Sequence, residues 1–421
     1  MTLSIVAVGP SSGPVGTPVV IQGVGFVATG PVRAVRFGSS PSARYAVDSD
    51  GQITARIPEG ATDGPVAVVT DAGTVESALS LHVTLRHIVM IVMENRSLGQ
   101  IDGNASARYI NNCLLHAAAG SCPNPATSFP TLSYSQMYAA TQAGSMYDYL
   151  DLTSGSDPHT QGKVCKFSIL GCPDTDANIV DQLESAGLSW ASYAEDYPTP
   201  GKCSLKDGVK RVGSVDTVYT SGHVPYLHYT DIRTNPARCT HFFGNPSGLS
   251  KSGLPIGGDA GLLRLTADLT SHSLPAFSFI TPNQYSDMHT GCSSGVCPPG
   301  APDKTAMGDL FLAYWIPHLM AGLGPDDRIV VTWDESTNKD NSGCCLFPNG
   351  PKISGGHIPT FVVGGNLTPG VSPTPVTAYS TLTAVEEMFS LPGMISNPTA
   401  TQTHQLNQLY GTCDCTPRMH W

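Results

Sequence analysis

Clustered basic charge is missing from this chain. Its 22 Lys and Arg are outnumbered by 33 Asp and Glu, the formal net charge is −11, and no basic run breaks the pattern. A polymeric nucleic acid needs a cationic footprint to displace its counterions, so it is excluded as a partner. Long apolar runs are missing too, and no segment reads as a bilayer span. Residues 1–10 have neither a basic start nor an apolar stretch, so the expectation is a leader removed or left out, and a secreted or periplasmic home. Cysteine is absent from residues 1–84 and then appears 12 times, in no Cys-x-x-Cys spacing that would suit zinc. The close pairs Cys113/Cys122, Cys165/Cys172, Cys292/Cys297 and Cys413/Cys415 read as a disulfide framework in an oxidising compartment, with the pairing of Cys344-Cys345 open.

What the chain does have is glycine (44) and proline (34) in loop-rich abundance, and a change of character near residue 85. At 421 residues, two domains are expected. Residues 1–84 carry short apolar alternations (VVI at 19–21, VRAVRF at 32–37, ITARI at 53–57, VAVVT at 66–70) separated by Gly, Pro and Ser. That spacing predicts a small all-β sandwich. The run GPSSGPVGTPVVIQGVGF, then VRFG and IPEGATDGPVAVVT, resembles the IPT/TIG immunoglobulin-like module. The resemblance implies a spacer or a contact to a surface or glycan, not catalysis.

Residues 85–421 read as an α/β domain. HIVMIVMEN is a continuous apolar run with a polar end, as a central parallel strand buried on both faces requires. PAFSFITPN (275–283), DRIVVTWDES (327–336) and HIPTFVVGG (357–365) are further strands, and helical periodicity marks 177–187, 307–323 and 380–391. The alternation predicts a layered domain with a largely parallel sheet flanked by helices. The stretch 197–260 shows little periodicity.

Ligands of such sheets bind beyond the carboxyl ends of the strands. The predicted strands deliver Glu94-Asn95, then Asn283, Asp287 and His289, then Asp334-Glu335 to that edge. A strand ending in an acid is ordinary turn chemistry; agreement among three is a signal. Oxygen-rich ligands suit a divalent cation, with Ca, Mg, Zn and Fe all open. Ser145 opens the helical pattern MYDYLDL after Ala143-Gly144, a position that reads equally as an N-cap or as a nucleophile favoured by the helix dipole.

The blocks HIVMIVMENRSLGQIDGNASARYINN, YAATQAGSMYDYLDLTSGS, NIVDQLESAGLSWASYAEDYP, HVPYLHYTDIRTNPARC, FSFITPNQYSDMH, MGDLFLAYWIP, VVTWDE and STLTAVEEMFSL run in order over roughly residues 87–391. Together they resemble the phosphoesterase family of bacterial acid phosphatases and phospholipases C, in the alkaline-phosphatase-like superfamily. The resemblance implies a metal site of Glu94, Asn95, Ser145, Asp334 and Glu335, with phosphate-binding histidines at His223 and His289. Ser154 and Ser156, at the far end of the helix, compete less well with Ser145. Three polar groups of the family pattern are replaced here: Ala143 to Tyr149 reads AGSMYDY, Gly222 precedes His223, and Thr377 to Ser380 reads TAYS. His357 or His159 is a candidate substitute, and Asn283 and Asp287 are candidate substrate contacts.

The reading that follows is a metal-dependent acid phosphatase on small phosphomonoesters, using a phosphoserine intermediate. The alternatives are a phospholipase C and, from the replaced groups, a surface-binding protein with a decayed site.

Overall fold

The computed structural model describes residues 3–42, 44–58, 61–84, 86–116, 122, 124–140, 144–155, 174–205, 208–212, 215–245, 261–291, 303–337, 340, 342–343, 355–389 and 391–393. It divides into two compact units: residues 1–86 with 179–189 and 386–392, and residues 87–178 with 190–385 and 393–421.

In the first unit two sheets face each other. One has four strands in the order Ser4–Gly9, Pro18–Val24, Gln52–Arg56, Tyr45–Ser49. The other has five, in the order Ser12–Pro14, Gly73–Thr84, Gly64–Thr70, Val32–Phe37, Ser40–Pro41. All pairs are antiparallel except Ser12–Pro14 with Gly73–Thr84. The alternating side chains anticipated from the sequence supply the core: Val19, Ile21, Val35, Phe37, Ile53, Ala55, Val66 and Val68 are buried, joined by Phe26 and Leu81.

The second unit is built on an eight-stranded mixed sheet. Its order is Phe242–Phe243, Trp190–Ala194, Phe277–Thr281, Ile88–Met93, Arg328–Trp333, Thr360–Val363, Thr131–Tyr134, Gly370–Ser372. The first five strands are mutually parallel, and Thr360–Val363 runs antiparallel to both neighbours. Every residue of Ile88–Met93, Phe277–Thr281 and Arg328–Trp333 is buried, which is why these strands read as apolar runs broken only by Ser278, Thr281, Arg328 and Thr332. The Lys304–Gly322 helix lays Phe311, Leu312, Trp315, Ile316 and Leu319 into the core of this unit. Its start is fixed by Asp303, whose side chain accepts from the Thr305 and Ala306 amides.

The stretch without periodicity is organised by other means. A hairpin joins Gly208–Val212 to Val215–Tyr219, short helices follow at Thr230–Arg233 and Pro236–Cys239, and the Cys203–Cys239 disulfide ties the segment before the hairpin to the second of those helices. Cys113 pairs with Cys122 as their spacing suggested. Cys165/Cys172, Cys292/Cys297, Cys413/Cys415 and Cys344-Cys345 lie outside the described residues.

Candidate active site

Three adjacent parallel strands end at one edge, and each carries an acid there. Glu94 follows Ile88–Met93, Asp334 follows Arg328–Trp333, and Asp287 sits on the turn after Phe277–Thr281. The backbone stitches these ends together: Glu94 N donates to Asp287 O at 2.8 Å, and Asp334 N donates to Met93 O at 3.0 Å. Asn95 takes a positive φ of 53°, which asparagine tolerates better than most residues, and its amide donates to Asp334 Oδ1 at 3.0 Å. Its side-chain Nδ2 donates to Glu94 Oε2 at 2.8 Å.

Ser145 reaches the same carboxylate from another element. It is the first residue of the Ser145–Ser154 helix, behind Gly144, whose φ of 123° suits only glycine. Its Oγ donates to Glu94 Oε2 at 2.9 Å. Ser154 lies at the opposite end of the helix, its Oγ turned back to Leu150 O; Ser156 and His159 lie outside the described residues.

His223 sits between two acids, with Nε2 3.3 Å from Glu94 Oε1 and Nδ1 3.3 Å from Asp287 Oδ2. Its ring stacks on Tyr149, with centroids 5.6 Å apart. His289 stands at the exposed mouth, held by its own amide on Asp287 Oδ1 at 2.7 Å. Ligand atoms of Glu94, His223 and His289 lie within 4.8 Å of one another. The imidazoles therefore stand close enough to share a cation with Glu94, a role beyond the phosphate binding expected of them.

The electrostatics of the cluster decide whether a cation fits. Glu94 Oε1, Asp287 Oδ2, Asp334 Oδ2 and Glu335 Oε2 are buried and accept no hydrogen bond. Burial, then Asp334 and Asp287, pushes the Glu94 carboxyl well above its ordinary range. Burial likewise raises Asp287 and Asp334, and burial with Asp334 beside it takes Glu335 up to about 8. One imidazole cannot neutralise four acids, so an ionised cluster requires further positive charge. A divalent cation satisfies both the charge and the orphaned oxygens, and the donor set fits one. Burial lowers His289, favouring its neutral form.

Two residues expected as substrate contacts are engaged by the protein itself. Asn283 spends its Oδ1 on the Tyr285 and Ser286 amides and its Nδ2 on Asp196 Oδ2, so it shapes the turn that carries Asp287. His357 binds Ser135 O through Nε2 at 2.7 Å and stacks on Tyr138. Asp287, expected only as a substrate contact, is instead central to the cluster. The sequence reading also passed over Glu195 and Asp196, buried acids raised to about 8 and about 6 chiefly by desolvation. The signal was present: an acidic pair follows the buried Trp190–Ala194 strand just as one follows Arg328–Trp333.

Comparison with known proteins places this geometry in context. The model of the phosphoesterase family matches residues 132–392, and that of the IPT/TIG domain matches residues 3–85. A phosphatidylinositol-3-phosphatase of Mycobacterium tuberculosis is 26% identical over 331 residues, covering 78% of this chain and 83% of that protein. A probable acid phosphatase of Kluyveromyces lactis is 25% identical over 164 residues, covering 36% of this chain and 33% of that one. Among solved structures, a protein in the alkaline phosphatase superfamily from Vibrio parahaemolyticus aligns with a TM-score of 0.45 at 12% identity, over 72% of this chain and 66% of that one.

Proposed function

We propose, from the premise that this chain belongs to the phosphoesterase family, that it is a metal-dependent phosphatase cleaving phosphomonoesters through Ser145. The observation that carries the reading is the Ser145 Oγ–Glu94 Oε2 hydrogen bond of 2.9 Å, set among buried acids that each keep one oxygen without a hydrogen bond.

Glu94, Asn95, Asp334 and Glu335 would hold a divalent cation, which when bound supplies charge neutralisation for phosphate oxygens and lowers the pKa of a coordinated hydroxyl. Ser145 is the nucleophile. Glu94 aims its Oγ, and the N-terminus of the Ser145–Ser154 helix favours both an alkoxide and an arriving phosphate. Attack forms a Ser145–phosphate ester and releases the alcohol; water then hydrolyses the ester. His223, fixed by Glu94, Asp287 and the Tyr149 ring, holds a phosphate oxygen or a proton in a set orientation. His289, at the mouth and favoured neutral, is placed to bind a second oxygen or to pass a proton from water to the leaving alkoxide.

Two relatives named as phosphatases favour phosphomonoesters over the headgroup cleavage of a phospholipase C. A decayed binding protein is disfavoured, because burying several orphaned acids is costly without a retained cation. The disulfides Cys113–Cys122 and Cys203–Cys239 support a secreted or periplasmic location. The IPT/TIG sandwich is then a spacer or a contact to a surface or glycan.

The test is a panel of p-nitrophenyl phosphate and phosphatidylcholine, with and without chelator. Hydrolysis of the first alone, abolished by chelator and by Ser145→Ala in a folded protein, is expected. Exclusive lipid cleavage, or full activity in Ser145→Ala, sinks the proposal.

A further inference from the structure

A polar cleft of about 630 Å³ adjoins the acid cluster, lined by Arg96, Gln100, Asn104, Lys304, Thr305 and Thr337 among others. Its volume falls in the range of small-ligand sites, roughly 300–1,000 Å³. Three of its walls are neighbours of the residues assigned above. Arg96 follows Asn95, Thr337 stands two residues past Glu335, and Lys304 Nζ donates to His289 O at 3.2 Å.

Arg96 is the unusual member. It is 6% exposed and makes no direct ion pair among the described residues, its charge being favoured at longer range by Asp303 and Asp287. A guanidinium offers five N–H donors. Here Nη1 donates to Asn95 O at 2.7 Å and Nε to Thr305 Oγ1 at 3.4 Å. Its remaining N–H donors form a planar fork that suits phosphate or carboxylate. Lys304 adds a second cation. Asp102, the one acid among the described lining residues, faces His116 at 2.8 Å. Asp303, next to Lys304, is committed to the Thr305 and Ala306 amides and to Ser106 Oγ. Arg96 and Lys304 thus outnumber the acid on the described lining, in a chain of net charge −11. Among the described residues no aromatic lines it, so an aryl leaving group gains little there.

Resting on the phosphatase reading of the adjacent site, we propose that this cleft binds the leaving group, and that Arg96 and Lys304 select substrates whose polar, hydroxylated leaving group carries a second anionic phosphate. That second phosphate belongs either to a soluble bisphosphate or to the diester of a lipid headgroup.

Calorimetry on the full-length Ser145→Ala protein, which binds without turnover, tests it with two ligand pairs. Fructose 1,6-bisphosphate is compared with fructose 6-phosphate, and a short-chain phosphatidylinositol 3-phosphate with inositol 3-phosphate. In one pair or the other the doubly charged ligand is expected to bind at least about tenfold tighter. Adding Lys304→Gln or Arg96→Gln is expected to cut that ratio by about fivefold or more. Because Arg96 is buried and its variant is at risk of misfolding, the partly exposed Lys304 decides the matter alone if needed. Ratios near one in both pairs, or a ratio that survives loss of Lys304, overturn the proposal. Failure of the wild type to hydrolyse p-nitrophenyl phosphate would instead count against the phosphatase reading, so the two failures are distinguishable.

Discussion

The carboxylates of the two units live under opposite electrostatics. In the sandwich, Asp48, Asp50, Asp63 and Asp71 lie at the surface, and each is held below its ordinary pKa by donors: side chains for Asp48 and Asp71, backbone amides for Asp50 and Asp63. At the sheet edge of the second unit, Glu94, Asp287, Asp334 and Glu335 are buried, short of donors and all shifted upward. The same residue types support the fold in one place and strain it in the other. Acids retained at the expense of stability have a reason outside folding, and binding a cation beside a serine is such a reason.

The sharpest way to break that contrast is Asp334→Asn. The amide keeps the acceptor for Asn95 N but removes one buried charge. Phosphatase activity is expected to fall by at least about 10³-fold, the scale at which a group inside a catalytic unit fails. In metal-free protein the variant is expected to be as stable as the wild type or more so, because an orphaned acid is gone. Adding a divalent cation should raise the wild-type melting temperature and leave the variant unmoved. A variant that is active, or that loses stability without metal, would place Asp334 among the ordinary structural acids.

How much of this was legible beforehand follows from where the physics is local. Strands buried on both faces are apolar over most of their length, so Ile88–Met93 and Arg328–Trp333 announced themselves, and so did the acids ending them. Ser145 was recognisable as a helix start, but its bond to Glu94 spans 51 positions and no local pattern encodes it. The ordered blocks resembling the phosphoesterase family supplied that link. Asn283 and His357, expected as substrate contacts, are engaged by protein partners, and a polar residue at a strand end looks the same in sequence whether it serves a ligand or a turn. Lys304 went unnoticed for the converse reason: its place beside His289 arises only when the Lys304–Gly322 helix packs.

A smaller effect tests whether upward shifts alone mark function. Asp309 is buried and raised to about 6 by desolvation, although it accepts the Tyr109 and Ile110 amides. Its folded-state pKa exceeds the unfolded 3.8, so the stability it contributes is fully present below pH 3.8 and lost as pH rises through about 6. A shift of roughly two units corresponds to about 3 kcal/mol. Asp309→Asn is expected to flatten the pH dependence of second-unit stability between those limits, read by denaturant midpoints, while kcat stays near wild type. A large loss of kcat would mean that Asp309 belongs to the catalytic machinery after all.

The smallest effect belongs to the sandwich and has the opposite sign. Asp50 accepts the Val27 and Ala28 amides at 2.8 and 2.7 Å and the Gly25 amide at 3.3 Å, closing the loop after Pro18–Val24. Those amides hold its folded-state pKa below 3.8, so its stabilisation is present above that value and lost as pH falls through the folded pKa. Asp50→Ala should therefore lower the melting temperature of the sandwich modestly at neutral pH. The difference from wild type should vanish in strong acid, where the wild-type carboxyl is protonated as well. Hydrolysis of p-nitrophenyl phosphate should not change. A variant that melts like wild type at pH 7 would mean that surface exposure cancels the hydrogen bonds, and satisfied acids would then be neutral to the sandwich instead of supporting it.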